Sequence, residues 1–213
     1  MKKFFVSLMM LALVCAGAAF TACDDDVYDA EDLSGEWEGN MGMYYIDNQG
    51  YEYDAYNTYI AFYPDYEYAT HGYGEEIDYF SRDCPIYCQN FYFEWRINNG
   101  HLRLIYPGNH DLDVELYDYH FRQHRTRLYF TINGTLYQLN KLSDFYHDDW
   151  YWWDHDHKIM RNRDSYYHYM TWAQYNMAKS REGGVSNVEN KSQNPELFRF
   201  GRDFSKVKPA GEE

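Results

Sequence analysis

The chain has 213 residues, and its 34 acidic side chains outnumber the 19 basic ones to give a formal net charge of −15 at pH 7. This acidity argues against nucleic acid as a partner, because phosphate backbones are held by Lys and Arg, and against charge-driven docking on anionic lipid. The chain also carries 25 Tyr, 13 Phe and 6 Trp. Tyr buries its ring while its hydroxyl stays in water, so aromatic side chains on both faces of a sheet are expected.

Residues 1–22 have the layout of a secretory signal peptide. Lys2 and Lys3 precede the apolar run FFVSLMMLALVCAGAAF, which ends in small residues. Ala22-Cys23 fits a lipoprotein cleavage site, and the segment resembles a bacterial lipoprotein signal. That resemblance implies that Cys23 becomes the acylated N-terminus. The acidic residues 24–26 resemble the signal that sorts lipoproteins of Bacteroides-type bacteria to the outer surface. A membrane-spanning helix is the alternative, for which the run is at the short end.

Residues 23–33 are acidic and lack periodicity, so they are predicted to be a tether. A β-domain is expected over residues 34–183. In FYFEWRI (91–97), apolar side chains alternate with polar ones, and HLRLIY (101–106) repeats the alternation after an Asn-Gly turn. RLYFTI (127–132) and TLYQLNKL (135–142) flank a second Asn-Gly, Asn133-Gly134, which is the strongest short hairpin signal. With YNTYIAFY, EEIDYF and DLDVELYDYHF, these segments predict an all-β antiparallel barrel or sandwich of about eight strands.

One helix is predicted after the strands, packed on the outside of the sheet. In DSYYHYMTWAQYNMAKSREGG (164–184), Asp164 or Ser165 can cap the start and Gly183 the end. The apolar stripe of this helix would be formed by Tyr166, Tyr169, Met170, Ala173 and Met177. Residues 184–213 are polar and predicted to be a mostly disordered tail, in which LFRF (197–200) is the one piece with enough apolar content to dock.

The segment LSGEWEG places Gly35-Glu36-Trp37, a G-x-W, on the first strand of this antiparallel pattern. With the late helix, this layout resembles lipocalins and the lipocalin-like domains of Bacteroides-type surface lipoproteins. The resemblance implies that Trp37 packs the floor of a barrel at its closed end. It also implies an Arg stacked on that Trp, for which Arg161 and Arg163 are the candidates.

Cys84 and Cys88, in CPIYC, are the two cysteines outside the signal and lipid-attachment positions. Outside the cytoplasm such a pair can oxidise, so a disulfide closing a small loop is predicted. Free thiols and metal ligation are the alternatives, and the tight loop limits the Cα separation that a disulfide needs.

Two further segments raise candidate sites. Residues 147–157 contain His147, His155 and His157 among four Asp, which could bind Zn²⁺ or Ca²⁺. The spacing matches no specific metal signature, so a solvated acidic loop is the favoured interpretation. HFRQH (120–124) lacks the Glu of a zinc-protease helix. No cofactor is predicted.

Aromatic rings beside carboxylates and amides form the remaining candidate site. Rings stack on the C–H faces of sugars while polar groups bind the hydroxyls, and this mixture occurs at Trp150, Trp152, Trp153, Tyr44 and Tyr45. The alternative is that Tyr simply fills strand positions. A non-enzymatic barrel binding a glycan or a small apolar molecule is therefore one hypothesis.

The second hypothesis is a structural or assembly accessory lipoprotein that contacts other envelope proteins. Both hypotheses expect a lipid anchor in the outer membrane, at the cell surface. The interior of the barrel distinguishes them: an open Tyr-lined cavity favours ligand binding, whereas a filled one favours the structural role. The side chains expected to fill it are Phe91, Phe93, Trp95, Leu102, Leu104, Val114, Leu116, Leu128 and Phe130.

Overall fold

The structure is a computed structural model that describes residues 25–144, 167–171 and 199–211. A helix, α1, spans residues 25–33. The strands that follow are β1 Gly35–Gly39, β2 Met43–Ile46, β3 Glu52–Pro64, β4 His71–Phe80, β5 Ile86–Asn98, β6 His101–Ile105, β7 Val114–Leu116, β8 Tyr119–Arg122, β9 Arg127–Ile132, β10 Thr135–Ser143, β11 Tyr167–Thr171 and β12 Arg199–Arg202. The described residues also include two 3₁₀ turns, His110–Leu112 and Phe204–Lys206.

Nine strands form a continuous antiparallel sheet in the order β7-β6-β5-β4-β3-β1-β10-β9-β8. The two ends of this sheet approach each other where β7 lies against β9, so the sheet is a nearly closed barrel. The predicted all-β fold is confirmed. The long strands β3 and β5 extend beyond this path, and β2 pairs with the start of β3 while β11 pairs with the start of β5.

Both predicted Asn-Gly hairpins are present. Asn99 and Gly100 join β5 to β6 with φ angles of 52° and 71°, and Asn133 and Gly134 join β9 to β10 with φ angles of 52° and 77°. Positive φ at both central residues is the requirement of a type I′ turn, whose twist matches that of the paired strands.

The interior of the barrel is filled by large side chains. All nine residues predicted to fill it are at most 5% exposed. Gly74 on β4 makes room for the ring of Phe93 on β5, because a Cβ at Gly74 would lie 2.1 Å from that ring. Phe93 in turn packs on Phe62 and Tyr106, with ring centroids 5.5 and 5.3 Å away. Aromatic packing of this kind accounts for much of the Phe content of the described residues.

Helix α1 covers one end of the barrel, called here the helix end. Asp26, Ala30 and Leu33, at the i, i+4, i+7 spacing of one helical face, are 8%, 2% and 0% exposed. The carboxylate of Asp26 accepts hydrogen bonds from the backbone N–H groups of Asn99 and Gly100, both at 2.7 Å. The prediction of an acidic tether is therefore wrong for residues 25–33, because these acids bind the rim of the barrel.

Residues 199–211, called here the C-terminal segment, cover the opposite end. β12 pairs with β2, the backbone N–H of Asp203 donates to Gly42 O at 2.7 Å, and that of Ala210 donates to Leu136 O at 2.8 Å. The prediction of disorder is wrong for these residues, and the expectation that residues near 197–200 dock is confirmed for Arg199 and Phe200. Residues 184–198 lie outside the described part of the chain.

The predicted late helix is wrong where it can be compared. Residues Tyr167–Thr171 form β11, and their Cα partners on β5 run from Phe91 to Ile86. The edge of β5 offers unpaired backbone groups along this stretch, and Tyr and Thr suit strands well, so pairing overrides the helical spacing. The rest of residues 164–183 lies outside the described residues. Over the described ranges, no helix is long and apolar enough to cross a bilayer.

Candidate functional site

Polar side chains of the described residues meet in the interior of the barrel. They are called here the interior polar cluster, which is formed by Thr58, Glu76, Asp78, Gln89, Tyr106 and Arg202. Strand β4 supplies its two acids, because Gly72, Gly74, Glu76, Asp78 and Phe80 form the inward face of that strand. Glu76 and Asp78 are both 0% exposed. An unpaired carboxylate in such an interior would be strongly destabilising, so the partners of these acids decide what the cluster does.

Arg202, from the C-terminal segment, neutralises Glu76. Its Nη2 atom donates to both carboxylate oxygens of Glu76, at 3.1 and 2.9 Å, and to the hydroxyl oxygen of Tyr106 at 3.1 Å. Tyr106 also donates its hydroxyl proton to Glu76. The side chain of Arg202 is 4% exposed and that of Glu76 is 0% exposed. This is a buried, hydrogen-bonded ion pair, not a surface salt bridge.

The second terminal nitrogen of the Arg202 guanidinium and the carboxylate of Asp78 connect the cluster to Met41, which follows β1. Arg202 Nη1 donates to Met41 O at 2.8 Å. Asp78 Oδ1 accepts a hydrogen bond from Thr58 Oγ1 at 2.6 Å, and Thr58 Oγ1 accepts one from the backbone N–H of Met41 at 3.3 Å. Gln89, the Cα partner of Asp78 on β5, donates to Asn90 O at 2.8 Å. Both sides of the Met41 backbone therefore bind this cluster.

The electrostatics of the cluster favour a single negative charge on its two acids. Burial, and next the nearby charge of Glu76, raise the pKa of Asp78 well above its usual range. Burial and Glu76 likewise raise the pKa of Tyr106, which stays a neutral donor. Burial alone would lower the pKa of Arg202, but Glu76, Tyr106 and Asp78 together outweigh burial and raise the pKa, so the guanidinium stays charged. A protonated Asp78 can donate to Glu76, so one carboxylate and one guanidinium remain and balance each other.

The interior polar cluster holds parts of the chain together, and its charged groups are out of reach of a substrate at the surface. The charged groups are paired with one another inside the barrel, and their side chains are 0–4% exposed. A general acid or base must reach the atom of a substrate that gains or loses a proton. The cluster instead binds the C-terminal segment to strands β3 and β4 and to Tyr106, which follows β6.

Two aromatic residues predicted to bind sugars lie within the described residues, and neither presents a free ring. Tyr45 is 2% exposed, and its ring packs on Phe200 and Tyr53 with centroids 5.3 and 6.0 Å away. Tyr44 is half-buried, with the Lys206 ammonium 5.0 Å from the centre of its ring. The expectation of an exposed ring is wrong for Tyr45, because strand alternation turns it into the core.

Cys84 and Cys88 are not joined by a disulfide, so the predicted bond is not present in the structure. Cys84 precedes β5 and is buried in the core, whereas Cys88 lies in β5 at a half-buried position with the parity of Asn90 and Tyr92. The two side chains therefore leave the chain toward different faces of the sheet. Burial raises the pKa of Cys84 to about 11.

The remaining predicted site residues lie outside the described part of the chain. These are Cys23, the predicted lipid-attachment residue; Trp150, Trp152 and Trp153, the other predicted sugar-binding aromatics; and His147, His155 and His157, the metal candidates. The structure does not test the predicted roles of these residues, which remain predictions. Among the described residues, no group of three or more His, Cys, Asp and Glu side chains is placed to hold a metal ion.

The chain matches no protein-family model and none of the curated proteins with which it was compared.

The interior polar cluster is the feature that the sequence analysis missed. In HGYGEEIDYF, the outward face of β4 carries Tyr73, Ile77 and Tyr79, which look more apolar than the inward acids, so hydrophobicity alone selects the wrong face. The signal that could have corrected this is Phe80, which is 0% exposed and has the parity of Glu76 and Asp78. The partner, Arg202, lies in a segment that its composition marks as a tail.

Proposed function

We propose that the protein is an exported, lipid-anchored accessory domain of the cell envelope that works through its outer surface and has no enzymatic activity. The observation that carries this proposal is the filled interior, in which the nine predicted core residues are at most 5% exposed. Helix α1 and the C-terminal segment cover the two ends of the barrel. A binding site for a small apolar molecule inside the barrel would need space and an entrance.

A ligand experiment tests this role. We expect indole and a long-chain fatty acid to leave the urea midpoint of the protein unchanged, because a filled interior has no room for them. The control is Phe93→Ala, which removes a 1% exposed ring; in this variant indole should raise the midpoint, as small aromatics do when they occupy an engineered cavity. Binding of either ligand to the unaltered protein would favour the ligand-carrier hypothesis instead.

The anchor is the second part of the proposal. The signal segment and the Ala22-Cys23 site support acylation at Cys23, and two or more chains on one residue give stable anchoring. Cys23→Ala should abolish metabolic labelling with a palmitate analogue and release the protein from membranes, whereas Cys88→Ala should change neither. Labelling that persists in Cys23→Ala would contradict the anchor. Surface biotinylation of intact cells tests the expected position in the outer membrane.

A lipocalin-like origin is part of this proposal and is supported by the surroundings of Trp37. The residue is 0% exposed on the first strand, and its indole N–H donates to Leu33 O of α1 at 2.8 Å. The ammonium of Lys141 lies 5.1 Å from the centre of the indole ring, which is cation–π distance. We propose that Lys141 takes the role that the resemblance gives to an Arg. Arg161 and Arg163 lie outside the described residues.

Glycan binding is the second candidate function, and one outer surface favours it. Tyr56, in a β-bulge of β3, is 60% exposed, and the rings of Tyr79 and Tyr87 meet nearby at 5.6 Å. The neighbouring Asn90 amide donates to Glu75. On a glycan array, binding that is lost in Tyr56→Ala and kept in Tyr117→Ala would support this candidate. An array on which the protein binds no glycan would contradict this second candidate function.

A further inference from the structure

Exposed aromatic side chains are concentrated at the helix end of the barrel. Among the described residues, the large apolar or aromatic side chains that are at least 38% exposed are Tyr28, Tyr51, Tyr56, Tyr66, Tyr68, Tyr117, Leu136 and Leu142. Five of these eight lie at the helix end, namely Tyr28, Tyr66, Tyr68, Tyr117 and Leu142. Exposed apolar side chains scattered singly need no explanation, but a group at one end of a domain indicates a contact surface.

Hydrogen bonds and one ring contact at the rim place the four tyrosines at the same end of the barrel. Tyr28 lies on α1 itself. Tyr66 and Tyr68 lie in the loop between β3 and β4, which approaches the Asn99–Gly100 turn bound by Asp26, since the backbone N–H of Ile97 donates to Thr70 O at 2.7 Å. Tyr117 follows β7, and its ring lies 4.6 Å from that of His101, the first residue of β6.

The predicted anchor is attached at this same end. Only Asp24 separates Cys23 from the first residue of α1. Two residues span at most about 7 Å of extended chain. A lipid chain on Cys23 would therefore hold the start of α1 within about 7 Å of the position of the acylated residue, at the membrane surface.

We propose that the helix end of the barrel faces the bilayer, with Tyr28, Tyr66, Tyr68 and Tyr117 in contact with the headgroup region. This orientation rests on the proposed lipid anchor and extends it. The opposite end, covered by the C-terminal segment, then points away from the membrane together with the turn at residues 47–50. Strand β3, with 13 residues, separates the two ends by up to about 40 Å.

The chemistry of this surface fits a neutral bilayer. Tyr is enriched at membrane–water interfaces, because its ring is apolar and its hydroxyl remains hydrated. The tether gives these rings a high effective concentration at the membrane, so weak contacts are enough to orient the domain. Asp25, Glu31, Glu67 and Asp118 are exposed at the same end. These carboxylates outnumber Arg122 and Arg125, which are exposed at the connection between β8 and β9 beside α1. The surface therefore disfavours anionic lipid and favours zwitterionic headgroups such as phosphatidylcholine.

Quenching by lipid nitroxides tests the orientation. The full-length acylated protein, in a Cys88→Ser background, is labelled with a fluorophore at Glu67→Cys in the helix end or at Gln49→Cys in the opposite end. In phosphatidylcholine vesicles carrying headgroup nitroxides, we expect the label at position 67 to be quenched at least several-fold more than the label at position 49. Adding anionic phosphatidylglycerol should weaken that difference.

Substitution of the tyrosines completes the test. Combined Tyr28→Ser, Tyr66→Ser, Tyr68→Ser and Tyr117→Ser should abolish the difference while the protein still sediments with vesicles, and its urea midpoint shows that it is folded. Tyr51→Ser with Tyr56→Ser is the matched control and should preserve the difference. Equal quenching at both positions, or stronger quenching with phosphatidylglycerol, would overturn the orientation. Failure to sediment in the unaltered protein, with no acyl label, would instead overturn the proposed anchor.

Discussion

Arg202 binds Glu76 across 126 positions of sequence, with Nη2 at 3.1 and 2.9 Å from the two carboxylate oxygens. This pair joins the C-terminal segment to the centre of β4. Because both side chains are almost fully buried, separating them would expose one uncompensated charge to an apolar interior. The C-terminal segment is therefore a part of the barrel, although its composition resembles that of a tail.

Removing one member of this pair should destabilise the protein strongly. Arg202→Met leaves Glu76 buried without its cation, and a loss of about 3–5 kcal/mol in the free energy of unfolding is expected. The double variant Glu76→Gln with Arg202→Met should recover part of that loss. Urea unfolding measures both. The matched control is Arg199→Met, exposed in the same segment, which should change the free energy by at most about 0.5 kcal/mol. Equal effects of Arg199→Met and Arg202→Met would contradict the buried pair.

Asp78→Asn should change how stability depends on pH. Burial and Glu76 raise the pKa of Asp78 in the folded protein, whereas an unfolded Asp titrates near pH 3.9. Between these two values the folded chain keeps a proton that the unfolded chain has released. The free energy of unfolding therefore falls as pH rises, by up to about 1.4 kcal/mol per pH unit. Asn cannot ionise, so the variant should gain stability relative to the unaltered protein from about pH 4 upwards.

Asp203→Asn should change the free energy of unfolding in the opposite direction from Asp78→Asn. Hydrogen bonds from the side chain and backbone of Ser205 lower the pKa of Asp203, so this carboxylate stabilises the protein above the unfolded pKa, and the contribution is lost as pH falls. Asp203→Asn should therefore lose stability relative to the unaltered protein at neutral pH. Urea unfolding from about pH 4 to neutral pH compares the two variants. Parallel curves for Asp78→Asn and Asp203→Asn would show that the environments of the two acids are misassigned.

Asp26→Ala should loosen the helix end. The carboxylate of Asp26 accepts hydrogen bonds from the backbone N–H groups of Asn99 and Gly100, both at 2.7 Å. Its loss leaves these two donors without an acceptor. A loss of about 1–3 kcal/mol is expected in the free energy of unfolding, together with faster amide exchange at Asn99 and Gly100. Asp25→Ala, at the exposed neighbouring position, is the control. Equal amide exchange rates at Asn99 and Gly100 in the two variants would show that α1 does not bind this turn.

The thiol of Cys84 should react slowly. Its pKa is raised to about 11 by burial, and the thiolate is the reactive form. At mildly alkaline pH, iodoacetamide should leave Cys84 unmodified in the native protein and alkylate both Cys84 and Cys88 in urea without prior reduction. Mass spectrometry of the peptides reads out both. Detection of a Cys84–Cys88 disulfide would contradict the structure and support the disulfide that the sequence predicts for an exported protein.

Local signals in the sequence predicted the barrel well where short-range chemistry decides the structure. The hairpins at Asn99-Gly100 and Asn133-Gly134 follow from the need for positive φ. The inward residues of β5 and β6, from Phe91 to Leu104, follow from simple alternation. These elements are fixed by turns of two residues and by one buried face, so their register needs no information from elsewhere in the chain.

Long-range partners explain what the sequence could not predict. The inward direction of Glu76 is tolerable only because Arg202 lies beside it, and the composition of residues 199–211 gives no sign of that contact. Residues 25–33 have the composition of a tether, yet their acids bind amides and a hydroxyl on the rim, including the bond from the Tyr119 hydroxyl to Asp29 at 2.8 Å. Residues 167–171 adopt the strand form because β5 has an edge to pair with.

Amide hydrogen exchange on the full-length protein tests most directly whether the C-terminal segment completes the barrel. Because β12 pairs with β2, we predict that amides of residues 199–202 are protected together with those of residues 43–46, and that Arg202→Met lowers the protection of both sets. Exchange of residues 199–202 at the rate of an unfolded chain, with residues 43–46 still protected, would contradict this account.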